Sequence, residues 1–155
     1  MAGPTPWKPG RPPRTRTATR GPTRGARRAA AQADATCKKI LEGRDENARA
    51  AEARDWLDPK HSRNAMWKGL NKKEARELVD RFYGLGAAQV YAVYVPGDDQ
   101  IRVNMCAEFM VELPADAAAR AKVLAAYNEF CSSIDPDFRA ATDLGQTYLV
   151  IDLDL

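Results

Sequence analysis

Histidine, phosphate-binding glycine loops and paired cysteines are scarce or missing in this chain. His61 is the only histidine, which excludes a metal site built from several histidines. No G-x-x-x-x-G-K-[ST] pattern occurs, and Gly84-Leu85-Gly86 is too short for G-x-G-x-x-G, so no nucleotide-binding loop is predicted. The sequence therefore predicts no catalytic, cofactor-binding or metal site, and we favour a non-catalytic protein over an enzyme.

Cysteine pairs and long apolar runs are also lacking. The chain has three cysteines, which are Cys37, Cys106 and Cys131. Their odd number and the lack of a C-x-x-C spacing argue against a disulfide scaffold or a zinc ribbon. Free cysteines suit a reducing compartment, so we expect a cytoplasmic protein. No apolar run approaches 18 residues, so the sequence predicts no membrane-spanning helix.

Acidic residues are missing from the start of the chain. Asp34 is the first acid, and eight Lys/Arg accompany it in residues 1–34. Residues 98–155 have the opposite balance, with four bases and eleven acids. A basic arm on an acidic body indicates either a polyanion partner or an arm that folds back on its own domain.

Residues 1–25 contain six prolines and four glycines but little apolar surface, so we predict a disordered arm. Arginine forks suit phosphate, and an aromatic ring can stack on a base. The candidate nucleic-acid-binding residues are Trp7, Arg11, Arg14, Arg16, Arg20, Arg24, Arg27 and Arg28. The alternatives are a solubilising tail without a partner, and attachment to an acidic protein or a membrane surface.

Residues 26–59 are rich in Ala, Arg and Glu and predict a weak helical segment. One helix runs to Gly43, and a second begins at Asp45 and ends by Leu57, before Asp58-Pro59. The apolar stripe is mostly alanine, so this segment would need a partner surface for stability.

A strict alternation from Ile101 to Leu113 predicts the main strand of the fold. Every odd position is apolar, and most even positions are polar. We therefore expect all odd residues on the buried face. Phe109 lies in the middle of that set. The even residues would form an open, wetter face.

The remaining elements complete an α+β domain over residues 60–155. Asn71 and Glu74 predict a capped helix, Ala88 to Val95 a strand, and Pro114 the start of a second helix. The last strand begins at Thr147, and a right-handed crossover would make it parallel to the Ile101 strand. The α-β-β-α-β order resembles a two-layer ferredoxin-like or ACT-like sandwich with a degenerate first strand, which residues 63–69 would supply.

The open sheet face is the predicted partner surface. Its residues, with one tryptophan before the domain, are Arg102, Asn104, Glu108, Glu112 and Trp67. Asp152 and Asp154 share one face of the last strand, where with Glu108 or Glu112 they would either hold a hard cation or only solvate a sheet edge. We favour the solvated edge.

Three functions fit these patterns. The first is a non-catalytic binding or regulatory module that uses its basic arm for electrostatic attachment to a polyanion, above all nucleic acid. The second is an ACT-like small-molecule sensor that acts as a homodimer through the sheet. The third and least favoured is a small enzyme that uses acidic residues of the open face, with Arg102 and Asp152.

Overall fold

Residues 22–154, which the computed structural model of the chain describes, form an open five-stranded sheet with four helices. In chain order the elements are α1 (Arg24–Leu41), β1 (Arg49–Glu52), α2 (Ala53–Trp56), β2 (Asn64–Met66), α3 (Lys72–Gly84), β3 (Gln89–Val95), β4 (Asn104–Glu112), α4 (Ala117–Ile134) and β5 (Tyr148–Asp152). The α+β class is confirmed, and the sheet is mostly antiparallel.

Strand β4 is the centre of the sheet. Along one edge it pairs antiparallel with β3, which in turn pairs antiparallel with β1. Along its other edge β2 pairs parallel with its first residues, and β5 pairs antiparallel with its second half. Two short strands therefore share one edge of β4.

Helices α2, α3 and α4 cover one side of the sheet, which we call the first face. Phe82 of α3, Phe109 of β4 and Ile151 of β5 are at most 1% exposed in this core. The predicted capping box at the start of α3 is present, with Asn71 and Glu74 each accepting the other's backbone N–H. Helix α4 begins three residues after Pro114, because the side chain of Asp116 caps its first turn.

Helix α1 covers part of the opposite side, the second face. Cys37 is buried against Val93 and Met110, with Ile40 and Leu41 packed around them. Asp34 also accepts hydrogen bonds from the backbone N–H groups of residues 147 and 148, at the start of β5. The Ala-rich helix thus finds its partner surface within its own chain.

The predicted helix from Asp45 to Leu57 is wrong over its first half. Arg49–Glu52 form β1, which pairs with Tyr91 to Tyr94 of β3, and only Ala53–Trp56 are helical. Alanine favours a helix only weakly, by a few tenths of a kcal/mol over most residues. The free edge of β3 offers backbone hydrogen bonds that outweigh this preference.

The predicted parallel pairing of the last strand is also wrong, because β5 runs antiparallel to β4. The chain returns along α4 between Asp135 and Thr147, so it enters β5 at the end where β4 finishes. Arg120 of α4 holds this return by donating to Asp143 and to the carbonyl of Gln146. Residues 63–69 do contain a strand, but β2 is only three residues long and runs parallel to β4.

Candidate binding groove

An extra residue interrupts the pairing of β3 with β4. Val93 pairs with Glu108, yet its neighbour Tyr94 pairs with Cys106, so Ala107 has no partner on β3. This is a β-bulge, in which two residues of one strand face one residue of the other. The bulge reverses the odd–even alternation of β4 at Ala107.

The reversal overturns half of the predicted register. Phe109, Val111 and Leu113 are buried as predicted. Before the bulge, however, the core residue is Cys106, at 0% exposed, and Met105 lies on the second face beside Val95. Ile101 to Val103 precede the strand and belong to the connection from β3.

The odd residues before the bulge line an exposed apolar groove on the second face. Three of its large apolar residues are exposed to solvent over more than half of their surface: Trp67, Val95 and Ile101, at 54%, 56% and 59%. The groove has a volume of about 360 Å³, and its lining is Trp67, Val95, Pro96, Asp98, Ile101, Val103, Met105, Ala107 and Asp154. Helix α1 covers the other half of this face and leaves the groove open.

The connection between β3 and β4 is held in one shape, which fixes Ile101 at the groove. The carboxylate of Asp98 accepts hydrogen bonds from the backbone N–H groups of Ile101 and Gln100, at 2.6 and 2.8 Å. These bonds hold the pKa of Asp98 below its usual value, and the bond from Ile101 has the larger effect. A side chain at Gly97 would meet the carbonyl oxygen of Ile101 at 2.6 Å, so only glycine fits there.

Trp67 is fixed at the opposite side of the groove. Its backbone N–H donates to the carbonyl of Cys106, and its indole Nε1 donates to Asp154 at 3.2 Å. Lys68 forms an ion pair with the same carboxylate at 3.0 Å. The hydrogen bond from Lys68 is the main reason that the pKa of Asp154 is lowered.

Acidic side chains lie beside the groove, between it and α1. Glu108 and Asp152 are directly opposite each other on β4 and β5. Burial raises the pKa of Glu108, and the negative charges of Asp152 and Asp154 raise it further. Like charges in a directly opposed pair destabilise a sheet. Among residues 22–154 no group of three or more His, Cys, Asp or Glu is placed to hold a metal ion.

The predicted partner surface does not exist as one face. Glu108 and Glu112 follow the bulge and lie on the second face, whereas Asn104 precedes it and lies on the first. The Asn104 amide donates to the side chain of Asn64, and its oxygen accepts the backbone N–H of Gly97. Arg102 is exposed elsewhere, on a polar hollow lined by Arg63, Gly97, Asp98, Asp99, Arg102 and Asn104. Of the five predicted residues, only Trp67 lines the groove.

The suggested catalytic groups are likewise divided, because Arg102 lines the polar hollow whereas Glu108, Glu112 and Asp152 lie on β4 and β5. The three cysteines are buried, and burial is the main cause that raises their thiol pKa values to about 11 for Cys37 and Cys131 and about 12 for Cys106. A thiol must lose its proton to act as a nucleophile, and burial opposes this loss at all three cysteines.

The candidate nucleic-acid-binding residues fall into two groups. Trp7, Arg11, Arg14, Arg16 and Arg20 lie outside the described residues, as does most of the predicted arm. Arg24, Arg27 and Arg28 are exposed in the first turns of α1, which begins at Arg24 behind the cap residue Thr23. The predicted arm therefore becomes helical before residue 25.

No protein-family model matches this chain, and neither a curated protein nor a solved structure is significantly similar to it. Within the described part of the chain, each helix is too short or too polar to cross a membrane.

Proposed function

We propose that the protein is a non-catalytic binding module that attaches to nucleic acid through its basic N-terminal region. The observation that carries this proposal is the segregation of charge. Seven arginines lie between residues 11 and 28, and no acid precedes Asp34. A flexible cationic segment neutralises phosphates without reading sequence, so binding would tolerate many sequences.

The first turns of α1 support the proposal. Arg24, Arg27 and Arg28 are exposed, and no ion pair joins them to a described residue. The N-terminal end of a helix carries a partial positive charge, so three arginines at this position are electrostatically unfavourable. Phosphate groups would relieve this repulsion. The proposed site thus combines the end of a helix with the basic segment that precedes it.

Binding to a random duplex should be weak and steeply dependent on salt. On B-DNA log K falls with log salt at about −0.9 per phosphate neutralised, so partial engagement of seven arginines gives a slope of about −3 to −6. Replacing Arg14, Arg16, Arg20 and Arg24 by Gln should reduce the slope by up to about 3, with folding unchanged. Fluorescence anisotropy with a labelled duplex at several salt concentrations measures both slopes.

A matched variant separates local charge from net charge. Lys38, Lys73, Lys122 and Arg139 are exposed and form no ion pair with a described residue, and their replacement by Gln changes the net charge by the same amount. This variant should keep the wild-type slope. No binding at low salt, or equal slopes in all three proteins, would refute attachment through the N-terminal region.

A second candidate is a small-molecule sensor of the ACT-like type that pairs through its sheet, in a reducing cytoplasm. One observation favours it: the groove is within the size range of small-ligand pockets, which is about 300–1,000 Å³. A sensor would melt at a higher temperature with its ligand and sediment as a dimer. The nucleic-acid proposal requires neither result.

A further inference from the structure

The groove is a candidate binding site on the second face. Exposed apolar side chains lie there beside acidic side chains that form no ion pair with a described residue. Trp67, Val95 and Ile101 are each more than half exposed. Glu108 and Asp152 have no cationic partner among the described residues, and Lys68 pairs only with Asp154. A fitting occupant therefore carries an apolar group flanked by cations.

We propose that this groove binds the chain's own N-terminal segment, with Trp7 on the apolar lining and nearby basic residues beside Glu108 and Asp152. Residues 1–21 contain five Lys/Arg, no acid and a single large aromatic residue, Trp7. Their charge is opposite to that of the groove's edge. Tryptophan is enriched among the side chains that carry most of the binding energy in such contacts.

The segment is long enough to reach the groove. The described chain starts at Pro22, beside α1, which lies on the same face of the sheet as the groove. Trp7 lies fifteen positions before Pro22, and a proline-rich segment spans about 3.1 Å per residue, or roughly 45 Å in total. A domain of this size has a radius of gyration of about 14 Å and hence a diameter of roughly 36 Å. Trp7 can therefore reach any point of this face.

A second copy of the chain fits the groove less well. A stable dimer buries roughly 1,200–2,000 Å² in total, far more than three exposed side chains supply. A symmetric pair through this surface would also bring Glu108, Asp152 and Asp154 of both copies close together, and like charges would then oppose each other. A tethered segment avoids both costs, because its local concentration is of millimolar order. This contact does not depend on nucleic-acid attachment.

A spin label near Trp7 tests the contact in the full chain. Thr5→Cys introduces a thiol outside the described domain, while the native cysteines are buried. A nitroxide on that thiol should broaden the NMR signals of the side chains of Val95, Ile101 and Met105. The broadening should persist on dilution, and it should vanish when nitroxide and isotope label are on separate molecules.

Two surface variants serve as a matched pair. Ile101→Glu changes an exposed apolar residue of the groove, and Ile134→Glu changes one at the end of α4, away from it. The broadening should be lost in the first variant and kept in the second. Absence of broadening at the groove, equal broadening in both variants, or broadening only between separate molecules would each overturn the proposal. The last result would identify a second copy as the occupant.

Discussion

Replacing Phe109 by Ala should lower the free energy of unfolding by about 3–5 kcal/mol, one of the largest effects of any single substitution in this domain. Phe109 is 1% exposed, and it pairs with Ala92 on one side and Ile151 on the other. The lost ring leaves a cavity between the sheet and the helices that cover its first face. Urea unfolding followed by circular dichroism measures the change, which should appear in the midpoint with the slope retained.

The neighbouring substitution Glu108→Gln is the control. Burial and two nearby acids raise the pKa of Glu108 above its unfolded value, so its contribution to stability is present below the unfolded pKa and is lost as pH rises through the folded pKa. At pH 7 the substitution should therefore leave stability unchanged or raise it slightly, and below about pH 4 the difference should vanish. Strong destabilisation by Glu108→Gln, with little effect of Phe109→Ala, would show that the register described for β4 is wrong.

Deletion of Ala107, at the bulge, and deletion of Met110, after the bulge, should have opposite effects on folding. Ala107 is the extra residue of the bulge, so its removal leaves Cys106 opposite Tyr94 and Glu108 opposite Val93. We expect a folded protein that has lost about 1–2 kcal/mol, since the carbonyl of Ala107 accepts a hydrogen bond from Leu153.

Deletion of Met110, three residues later, should abolish cooperative unfolding. It would turn Val111 and Leu113 away from the core, because a shift by one residue moves every later side chain to the other face. Met110 itself is buried under α1. Thermal unfolding of both deletions, followed by near-ultraviolet circular dichroism, compares them directly. A folded Met110 deletion, or an unfolded Ala107 deletion, would contradict the bulge.

The sequence predicts this fold well where local signals act alone. Asn71 and Glu74 define the start of α3, and the apolar spacing behind them places Ala75, Leu78 and Val79 in the core. Strand β3 differs from its predicted limits by one residue. The second half of β4 also follows its pattern, since Phe109 and Val111 are buried. These elements are determined by residues close together in the sequence, so they can be predicted from the sequence alone.

The failures have one physical origin, which is that these features depend on contacts between residues far apart in the sequence. Nothing local in Arg49–Glu52 shows that the free edge of β3 will pair with it. Likewise the direction of β5 depends on how Arg120 holds the return segment, a contact between residues more than 20 positions apart. The rule of right-handed crossovers applies to parallel strands. The long return segment brings β5 back antiparallel to β4, so the rule does not apply here.

The groove follows from a β-bulge that the sequence does not reveal. Ile101, Val103 and Met105 continue the alternation of Phe109 and Val111 without a break, so their pattern assigns them to the core. A bulge has no compulsory residue, and Ala107 gives no sign of one. The predicted partner surface includes Trp67, but its other members line the groove only if β4 is a regular strand, which it is not.

Thiol labelling of β4 tests the change of register at Ala107, on which the groove depends, most directly. Cys106 is buried on the first face with a thiol pKa of about 12, whereas position 105 lines the groove on the second face. Maleimide labelling of the native protein at neutral pH, followed by intact mass, should add no label to the wild type and one label to Met105→Cys. A regular strand predicts the reverse, with Cys106 exposed and position 105 in the core. Rapid labelling of Cys106 in the folded wild type, with position 105 protected, would contradict the bulge and the groove.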